Sequence, residues 1–527
     1  MNKKILYQEE ARRTLEKGMK LLANAVSITL GPRGRNVVIE NKFGSPEIIN
    51  DGITIAKQIK LKNNIENTGV SLIRQAAAKT NEVAGDGTTT ATVLAYSIVK
   101  QGMRNIAAGA NSILLKKGIE KAINFLVMTI ANYSKPIESV HSVMQIASIS
   151  AGGDEEPAQI ISQVLSKVGK DYIISLEEGN STSTTLEISE GMNINKGFIS
   201  PYFATNLQRM EAIYENAYVL ITNKKIAIVQ QDLIPILEQV RKSKRPLLII
   251  AADIEKEALA TLVLNKLKNI LNVIAIRAPG LRAQQSLLLE DIAVLTNGQL
   301  ITEEAGLSLE NVSLKQLGIA KKVIVTKDNS IIISEGNQDV IRLRCQQLQK
   351  QADLAETQYD KSKLEDRIAK LVGGVAVVKV GAVTETEMKD KKLRLEDAIN
   401  ATRAAVEEGV VPGGGSILAH LSEPLKTWAK NNLVDDELVG ALVVSKAILE
   451  PLKKIAENSG KNGSVILQTI QEKDIEYGYN AANNSFGNMY TFGIIDPSKV
   501  TRSALQNASS IASMILTTEC LIVNKNK

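Results

Sequence analysis

The chain is poor in the residues that most often carry metal binding and cross-linking. Of 527 residues, two are histidine (His141, His420) and two are cysteine (Cys345, Cys520). That is too few for a zinc cluster or a disulfide framework, and it fits a reducing compartment. Aromatic residues make up 3% of the chain, with a single tryptophan, which argues against a sugar-binding cleft or a base-stacking surface. No apolar run approaches the roughly 18 residues of a membrane span; Leu247–Ala252 is typical. A net charge of +6 is small for this length and leaves no polyanion footprint. Neither a nucleic acid nor a membrane is therefore expected as a partner. The opening Met1–Glu10 lacks the apolar core of a secretory signal and carries acidic residues that transit peptides avoid. The expectation is a protein that acts in the compartment where it is made.

What is present is a globular composition, 44% hydrophobic and 23% charged, with length for about three domains. Leu15, Met19, Leu22 and Val26 recur on one face of a helix that Gly31-Pro32 should end. Val37–Ile39 reads as a strand, Asn50-Asp51-Gly52 as a turn, and Ala91–Lys100 and Leu114–Ala131 as helices. From about residue 190 the texture changes. Pro246–Ala251 and Asn272–Ile276 read as buried strands around the helical Glu255–Leu271, a β-α-β unit. Val323–Thr326 and Ile331–Ile333 read as a hairpin, and Gln338–Leu371 as two antiparallel helices broken near Tyr359–Ser362. Helices return over Thr384–Glu408, Asp435–Ser459 and Ser503–Thr517. The chain thus runs helical, mixed α/β, then helical.

The sharpest local signal is Gly85-Asp86-Gly87-Thr88-Thr89-Thr90-Ala91-Thr92, which opens directly into an apolar helix. Free N–H groups and the positive end of the helix dipole suit phosphate there, and Asp86 suits Mg²⁺. A threonine N-cap after a flexible turn gives the same pattern. Two further glycine clusters, Thr29–Asn36 and Val410–Ser416, shift the reading towards close backbone approach to a ligand. Neither is a P-loop, since no Gly-Lys-Ser/Thr follows at the required spacing. Asp397 reads as a helical surface charge or a water-activating group. Asp496 reads as an N-cap before a proline at N1; Asn480 and Asp51 read as turn residues. His141 and His420 lack catalytic neighbours, and Cys345 falls on an apolar helix face with Ile341 and Leu348.

Four runs together, Thr29–Asn36, Gly85–Thr92, Ala404–Gly415 and Asp496–Arg502, resemble the group I chaperonins, the GroEL-type 60 kDa family. The likeness extends over nearly the whole chain in order. Stretches such as Ile254–Leu262 resemble the cyanobacterial and plastid branch most. The resemblance implies a multidomain α plus α/β fold: a mainly helical equatorial ATPase domain (1–132 and 408–527), a small intermediate hinge domain (133–189 and 376–407) and an α/β apical domain (190–375). It implies ATP, Mg²⁺ and K⁺ as cofactors. Thr29, Leu30, Gly31, Pro32 and Asn50 would line the nucleotide pocket; Gly87, Thr88, Thr89 and Thr90 would bind phosphate, with Asp86 on the metal. Gly414, Asn480, Ala481, Ala482 and Asp496 would surround ribose and adenine. Asp397 would orient or deprotonate the attacking water, with Asp51 as the second catalytic carboxylate.

On the apical domain, Phe198, Tyr202, Phe203, Ile234, Leu237, Leu259, Val263 and Leu264 match the family's apolar positions for client chains and a small lid co-chaperonin. The resemblance further implies two stacked seven-membered rings, an enclosed chamber for non-native polypeptides, and a reaction classed with the protein-folding isomerases. Hinge ion pairs are implied between Lys196 and Glu385 and between Glu408 and Arg502. The family branch points to an organelle-encoded protein of the plastid stroma, with a bacterial cytoplasm as the alternative. Three departures stand out: Asn50 where many relatives have lysine, the altered Gly280–Ser286 loop, and an ending at Val523–Lys527 without a Gly-Met tail. A metabolic ATP-dependent transferase or an inactive scaffold are the competing readings. The middle segment offers the former no polar catalytic cluster, and the presence of Asp86 and Asp397 weighs against the latter.

Overall fold

The computed structural model describes residues 3–40, 46–137, 140–151, 153–168, 173–179, 181–207, 210–280, 283–334, 338–355, 358–372 and 375–524. The chain forms two compact units: Met1–Gln163, Asn180–Ser183 and Val380–Lys527 make the first, Val164–Gly179 and Thr184–Lys379 the second.

The first unit is assembled from both chain ends. Strand Lys3–Tyr7 pairs antiparallel with Cys520–Asn524, placing Ile5 opposite Ile522. Leu15, Met19, Leu22 and Val26 are all buried on the helix Gln8–Ser27, the face their spacing predicts. Around them pack the helices Asn64–Ala84, Thr88–Ala107, Ser112–Tyr133, Asp435–Ala447 and Ser498–Leu516, whose Ile73, Leu94, Leu115, Leu126, Val444 and Leu505 share one core. Asn63 and Asn111 start two of these helices by accepting from the N–H groups that would otherwise lack acceptors. Helix Ser498–Leu516 is buried on nearly every side; its serines and alanines let neighbours close in.

Two expectations change here. Asp435–Ser459 is two helices, Asp435–Ala447 and Glu450–Asn458. The ring of Pro451 would clash with the carbonyl of Ala447, so the first helix stops there. Asp496 is not an N-cap: it pairs with Val411 in a short antiparallel ladder, and Pro497 precedes the helix instead.

The second unit is built on a mixed sheet. Its strand order is Val273–Arg277, Leu247–Ala251, Ala212–Thr222, Gly318–Val325, Ser330–Ser334, Thr185–Ile194, Val375–Val380 and Ile173–Glu178, with Leu300–Ile301 added beside Ala212–Thr222. The β-α-β unit is present: Leu247 and Val273 are partners in a parallel pair joined through helix Lys256–Leu267. Leu247–Ala251 is buried at every position, as a run apolar on both faces requires. The hairpin also forms, with Val325 opposite Ser330. The helices Gln338–Asp353 and Gln358–Val372 part before Tyr359–Ser362, which lies inside the second; that stretch holds no proline or glycine to force an exit. Cys345 is half-buried beside Ile341 and Leu348 in the core.

A buried ion network fastens these helices to helix Ala283–Thr296. Asp291 takes Arg367 at 2.7 and 2.9 Å and Arg344 at 3.1 Å, and Arg344 also reaches Glu290 at 2.8 Å. Asp291 and Arg367 are 1% and 6% exposed, so removing one partner strands charge out of water. Asp291→Ala should destabilise this unit by about 3–5 kcal/mol, read as a lowered urea midpoint for loss of amide protection in Leu247–Ala251; an unchanged midpoint would show the network to be dispensable.

Candidate nucleotide site

The Gly-Asp-Gly-Thr turn joins two long helices of the first unit through two left-handed residues. Gly85 (φ +70°) ends helix Asn64–Ala84, and Gly87 (φ +80°) is the N-cap of helix Thr88–Ala107. A Cβ at Gly87 would lie 2.6 Å from Val500, and one at Gly85 2.4 Å from Asn400, so both positions need glycine twice over. No side chain caps the second helix; the threonines sit inside its first turn rather than closing it. Its first N–H groups therefore remain available to an anion. Helix Gly52–Gln58 abuts this turn, since a Cβ on Gly52 would meet Thr89 Oγ1 at 2.3 Å and Thr88 Oγ1 at 3.0 Å. Asp51, expected in a turn, is the N-cap of that helix: it accepts from Ile53 N at 3.1 Å, from Thr54 N at 2.9 Å and from the Thr54 hydroxyl. The half-buried Asn50 directly precedes it.

Around Asp86 the carboxylates converge. Asp86 accepts from Gly87 N and, at 2.8 Å, from Ser150 Oγ. Asp397 is carried on helix Glu385–Glu408, and one turn later Asn400 donates to the Gly85 carbonyl at 3.4 Å. Asp496 lies across the loop Gly413–Gly415 and accepts from the N–H groups of Gly414 and Gly415; Gly414 and Gly415 are left-handed (φ +62° and +76°). Each of the three carboxylates is half-buried. Burial raises the Asp86 pKa, opposed by its two hydrogen bonds and reinforced by Asp51. Burial, then the charges of Asp86, Asp51 and Glu396, hold Asp397 well above the usual carboxylate range. Burial and the charge of Asp86 push Asp496 to about 6 against its glycine N–H bonds. Like charges held together out of water in this way call for a cation. Among the described residues no three acidic, histidine or cysteine side chains are placed to chelate one. The donor set fits an ion that uses one or two carboxylates and takes the rest of its shell from phosphate and water, as Mg²⁺ does.

The remaining candidate positions lie on two loops. After helix Gln8–Ser27 the loop folds back, with Thr29 Oγ1 donating to Val26 O at 2.9 Å and Gly31 (φ +88°) lying over Ile455. Asn458 fixes it by donating to the carbonyls of Ser27 and Leu30, both at 2.9 Å. Opposite, Asn480 accepts from Ala482 N at 2.9 Å, closing the turn of hairpin Tyr477–Asn480 and Ser485–Asn488; Ala481 is buried and Ala482 exposed. Arg33 crosses between the two loops to donate to Ala482 O at 2.8 Å. Pro32 is exposed at the rim. Ser150, Asn400, Asn458 and Arg33 were not singled out from the sequence. Only Asn400 had a local signal, its position one helical turn from Asp397.

The apolar positions of the second unit divide by burial. Phe203 is fully buried, and Phe198 and Leu237 are buried in the same core, a correction to their expected place on a binding face. The short turn Pro201–Phe203 explains the split, turning Phe203 inward and leaving Tyr202 64% exposed. Ile234 and Leu264 are also exposed, while Leu259 and Val263 are half-buried against the core. Leu267 and Ile270, not anticipated, extend the exposed apolar surface at the end of helix Lys256–Leu267. Of the stretch Gly280–Ser286, expected as a loop, Ala283–Ser286 form the first turn of helix Ala283–Thr296, while Leu281 and Arg282 lie outside the described residues, as do Lys525–Lys527 at the end. Glu408 and Arg502 form a two-pronged ion pair at 2.6 and 3.0 Å, whereas Glu385 pairs with Lys389 on its own helix at 2.9 Å.

The acidic cluster makes a stability test possible in nucleotide-free protein. At pH below the ordinary carboxylate value Asp496 is neutral whether the chain is folded or not, and it costs nothing. As pH rises from the ordinary carboxylate value to about 6, the unfolded chain gives up this proton while the folded state resists the charge, so stability falls across that window and the penalty is complete above about 6. Asp496→Asn should leave the thermal midpoint unchanged near pH 3, below the ordinary carboxylate value, and raise stability at pH 7.5 by roughly 1–2 kcal/mol, given partial screening of the half-buried group. A gain that is the same at both pH values would remove the charge from the explanation.

Known proteins resemble the chain along its length. The profile of the TCP-1/cpn60 chaperonin family matches residues 22–526. The chain is 63% identical over 525 residues to a protein named "Chaperonin GroEL, chloroplastic" from Gracilaria tenuistipitata var. liui, covering 100% of this chain and 99% of that one. Its fold is similar to the crystal structure of the chaperonin gp146 from bacteriophage EL 2 (Pseudomonas aeruginosa), solved in the presence of ATP-BeFx, with a TM-score of 0.69, 22% identity and 99% of both chains covered. Among the described residues no helix is long and apolar enough to cross a membrane. A full-length family match, a close chaperonin relative and a chaperonin fold agree: the chain belongs to the TCP-1/cpn60 chaperonin family and is an ATP-dependent folding chaperone.

Proposed function

We propose that the cleft around Asp86 binds ATP and hydrolyses it. The observation that carries this reading is the convergence of an uncapped helix N-terminus with carboxylates that raise one another's pKa. Gly87 and Thr88–Thr90 bind the phosphates through backbone N–H and hydroxyl groups, and Asp86 holds Mg²⁺, which when bound neutralises phosphate charge. Asn50 lies beside the terminal phosphate or a K⁺ ion. Thr29–Pro32, Gly414, Asn480–Ala482 and Asp496 enclose ribose and adenine. Asp397, supported by Asp51, orients the attacking water and takes its proton; a carboxylate held above its usual range is a better base than an ordinary one. Asp397→Ala should keep ATP binding and assembly while lowering turnover by about 10²-fold or more, measured by steady-state phosphate release. Full turnover would exclude Asp397 from the chemistry.

The wider reading follows the family. The equatorial part is 1–132 and 408–527, the intermediate part 133–189 and 376–407, and the apical part 190–375. Copies assemble as two stacked seven-membered rings, a small lid co-chaperonin closes the chamber, and the outcome is protein folding of the isomerase class. Self-association is supported by exposed apolar residues on two small ladders: Ile5, Tyr7 and Ile522 on one, Val38 and Ile48 on the other. Such edges are liabilities unless covered. The chloroplastic relative supports a plastid stromal location. Non-native chains bind the apolar surface of Tyr202, Ile234, Leu264 and their half-buried neighbours, because an aliphatic surface selects for exposed apolar side chains and little else. Leu264→Glu should weaken capture of an unfolded client about tenfold or more while leaving ATP turnover in place; unchanged capture in an aggregation-prevention assay would move the client surface elsewhere.

A further inference from the structure

The chain leaves helix Ser112–Tyr133 through Ser134-Lys135 and comes back through Glu408-Gly409-Val410, and the two passages are stitched together. Lys135 and Val410 exchange both backbone hydrogen bonds, at 2.9 and 2.8 Å. The Ser134 hydroxyl donates to the Glu408 carbonyl and lies 2.7 Å from Ser498 Oγ. From this bridge the Lys135 side chain reaches a third element. Its ammonium is 2.6 Å from Glu476 Oε1 and 4.2 Å from the centroid of the Tyr490 ring. The other oxygen of Glu476 accepts from Asn488 Nδ2 at 2.8 Å, and its backbone carbonyl accepts from Met489 N at 2.8 Å. The buried Tyr490 hydroxyl has no partner among the described residues, so this position uses the face of its ring rather than its polar end. Tyr490 packs with Ile137, Ile146, Ala401, Ala405, Val410 and Ile495 in one small apolar cluster.

The elements meeting here lead to both walls of the cleft. Beyond Lys135 runs the helix that ends at Ser150, hydrogen-bonded to Asp86; before Val410 runs the helix that bears Asp397 and Asn400. Glu476 and Asn488 are the base of the hairpin whose turn holds Asn480–Ala482. We propose that Lys135 is a positioning residue for ATP hydrolysis: its clasp on Glu476 and Tyr490 sets the angle at which the helices bearing Ser150 and Asp397 meet the nucleotide-flanking hairpin. This rests on the reading of the cleft as an ATPase site. An exposed ion pair and a cation–π contact are each weak, and such contacts bias an angle without holding the fold together.

The test is steady-state ATP hydrolysis with Mg²⁺ by the full-length assembled protein. Lys135→Met, which keeps the stem and loses the charge, should lower kcat about three- to tenfold with KM changed by less than about twofold. Lys135→Arg, which keeps a cation over the ring, should restore kcat to within about twofold. Glu476→Gln should resemble Lys135→Met, and combining the two should add little, because both remove the same contact. Wild-type kcat in Lys135→Met, or an arginine variant as impaired as the methionine one, would overturn the proposal. A Lys135→Met protein that loses assembly and raises KM as well would assign the residue a structural role and overturn it too. If wild-type protein turned over no ATP, the ATPase reading would fail instead, and the two failures are thereby distinct.

Discussion

The first unit is organised around an electrostatic debt. Partial burial, and the proximity of Asp86, Asp397, Asp496 and Asp51 to one another, raise the cost of charging these carboxylates. An isolated fold has no reason to collect carboxylates in this way. A bound cation would relieve that repulsion, and the uncapped helix beside the cluster offers N–H groups to an anion.

Backbone does much of what side chains do in other sites. The left-handed glycines at 85, 87, 414 and 415 let main-chain N–H groups approach Asp86, Asp496 and the cleft between them. The loops carrying Thr29–Pro32 and Asn480–Ala482 are held by Asn458 and Arg33, both donating to carbonyls rather than to charges. This is a consistent use of a sequence with two histidines. The groups gathered around Asp86 are carboxylates, hydroxyls and backbone amides.

The second unit has a different economy. Its sheet takes the long β-branched runs out of water, the Asp291 network fixes the helices that follow, and the large apolar side chains left exposed are mostly aliphatic. Tyr202 is the exception, placed outside by a single turn that puts Phe203 inside. Helix Lys256–Leu267 is buried on one side, with Leu264 and Leu267 exposed on the helix and Ile270 exposed just beyond it, which gives this apolar surface a rigid backing.

Much of this was written locally. The 3.6 spacing of Leu15, Met19, Leu22 and Val26, the unbroken apolar run of Leu247–Ala251 and the glycines flanking Asp86 each follow from short-range sterics and burial, and these elements form where their residues require. Other features depend on partners distant in the chain. Asp496 looks like an N-cap until Val411 pairs with it, Phe203 looks like Tyr202 until the sheet covers it, and Ser150 carries no mark until its helix reaches Asp86. A sequence specifies backbone preference and which residues seek burial, because those act over a few residues. Which carboxylates repel, which aromatic is covered and which lysine crosses to a glutamate 341 residues away were decided only by the tertiary structure, since those energies depend on distance in space.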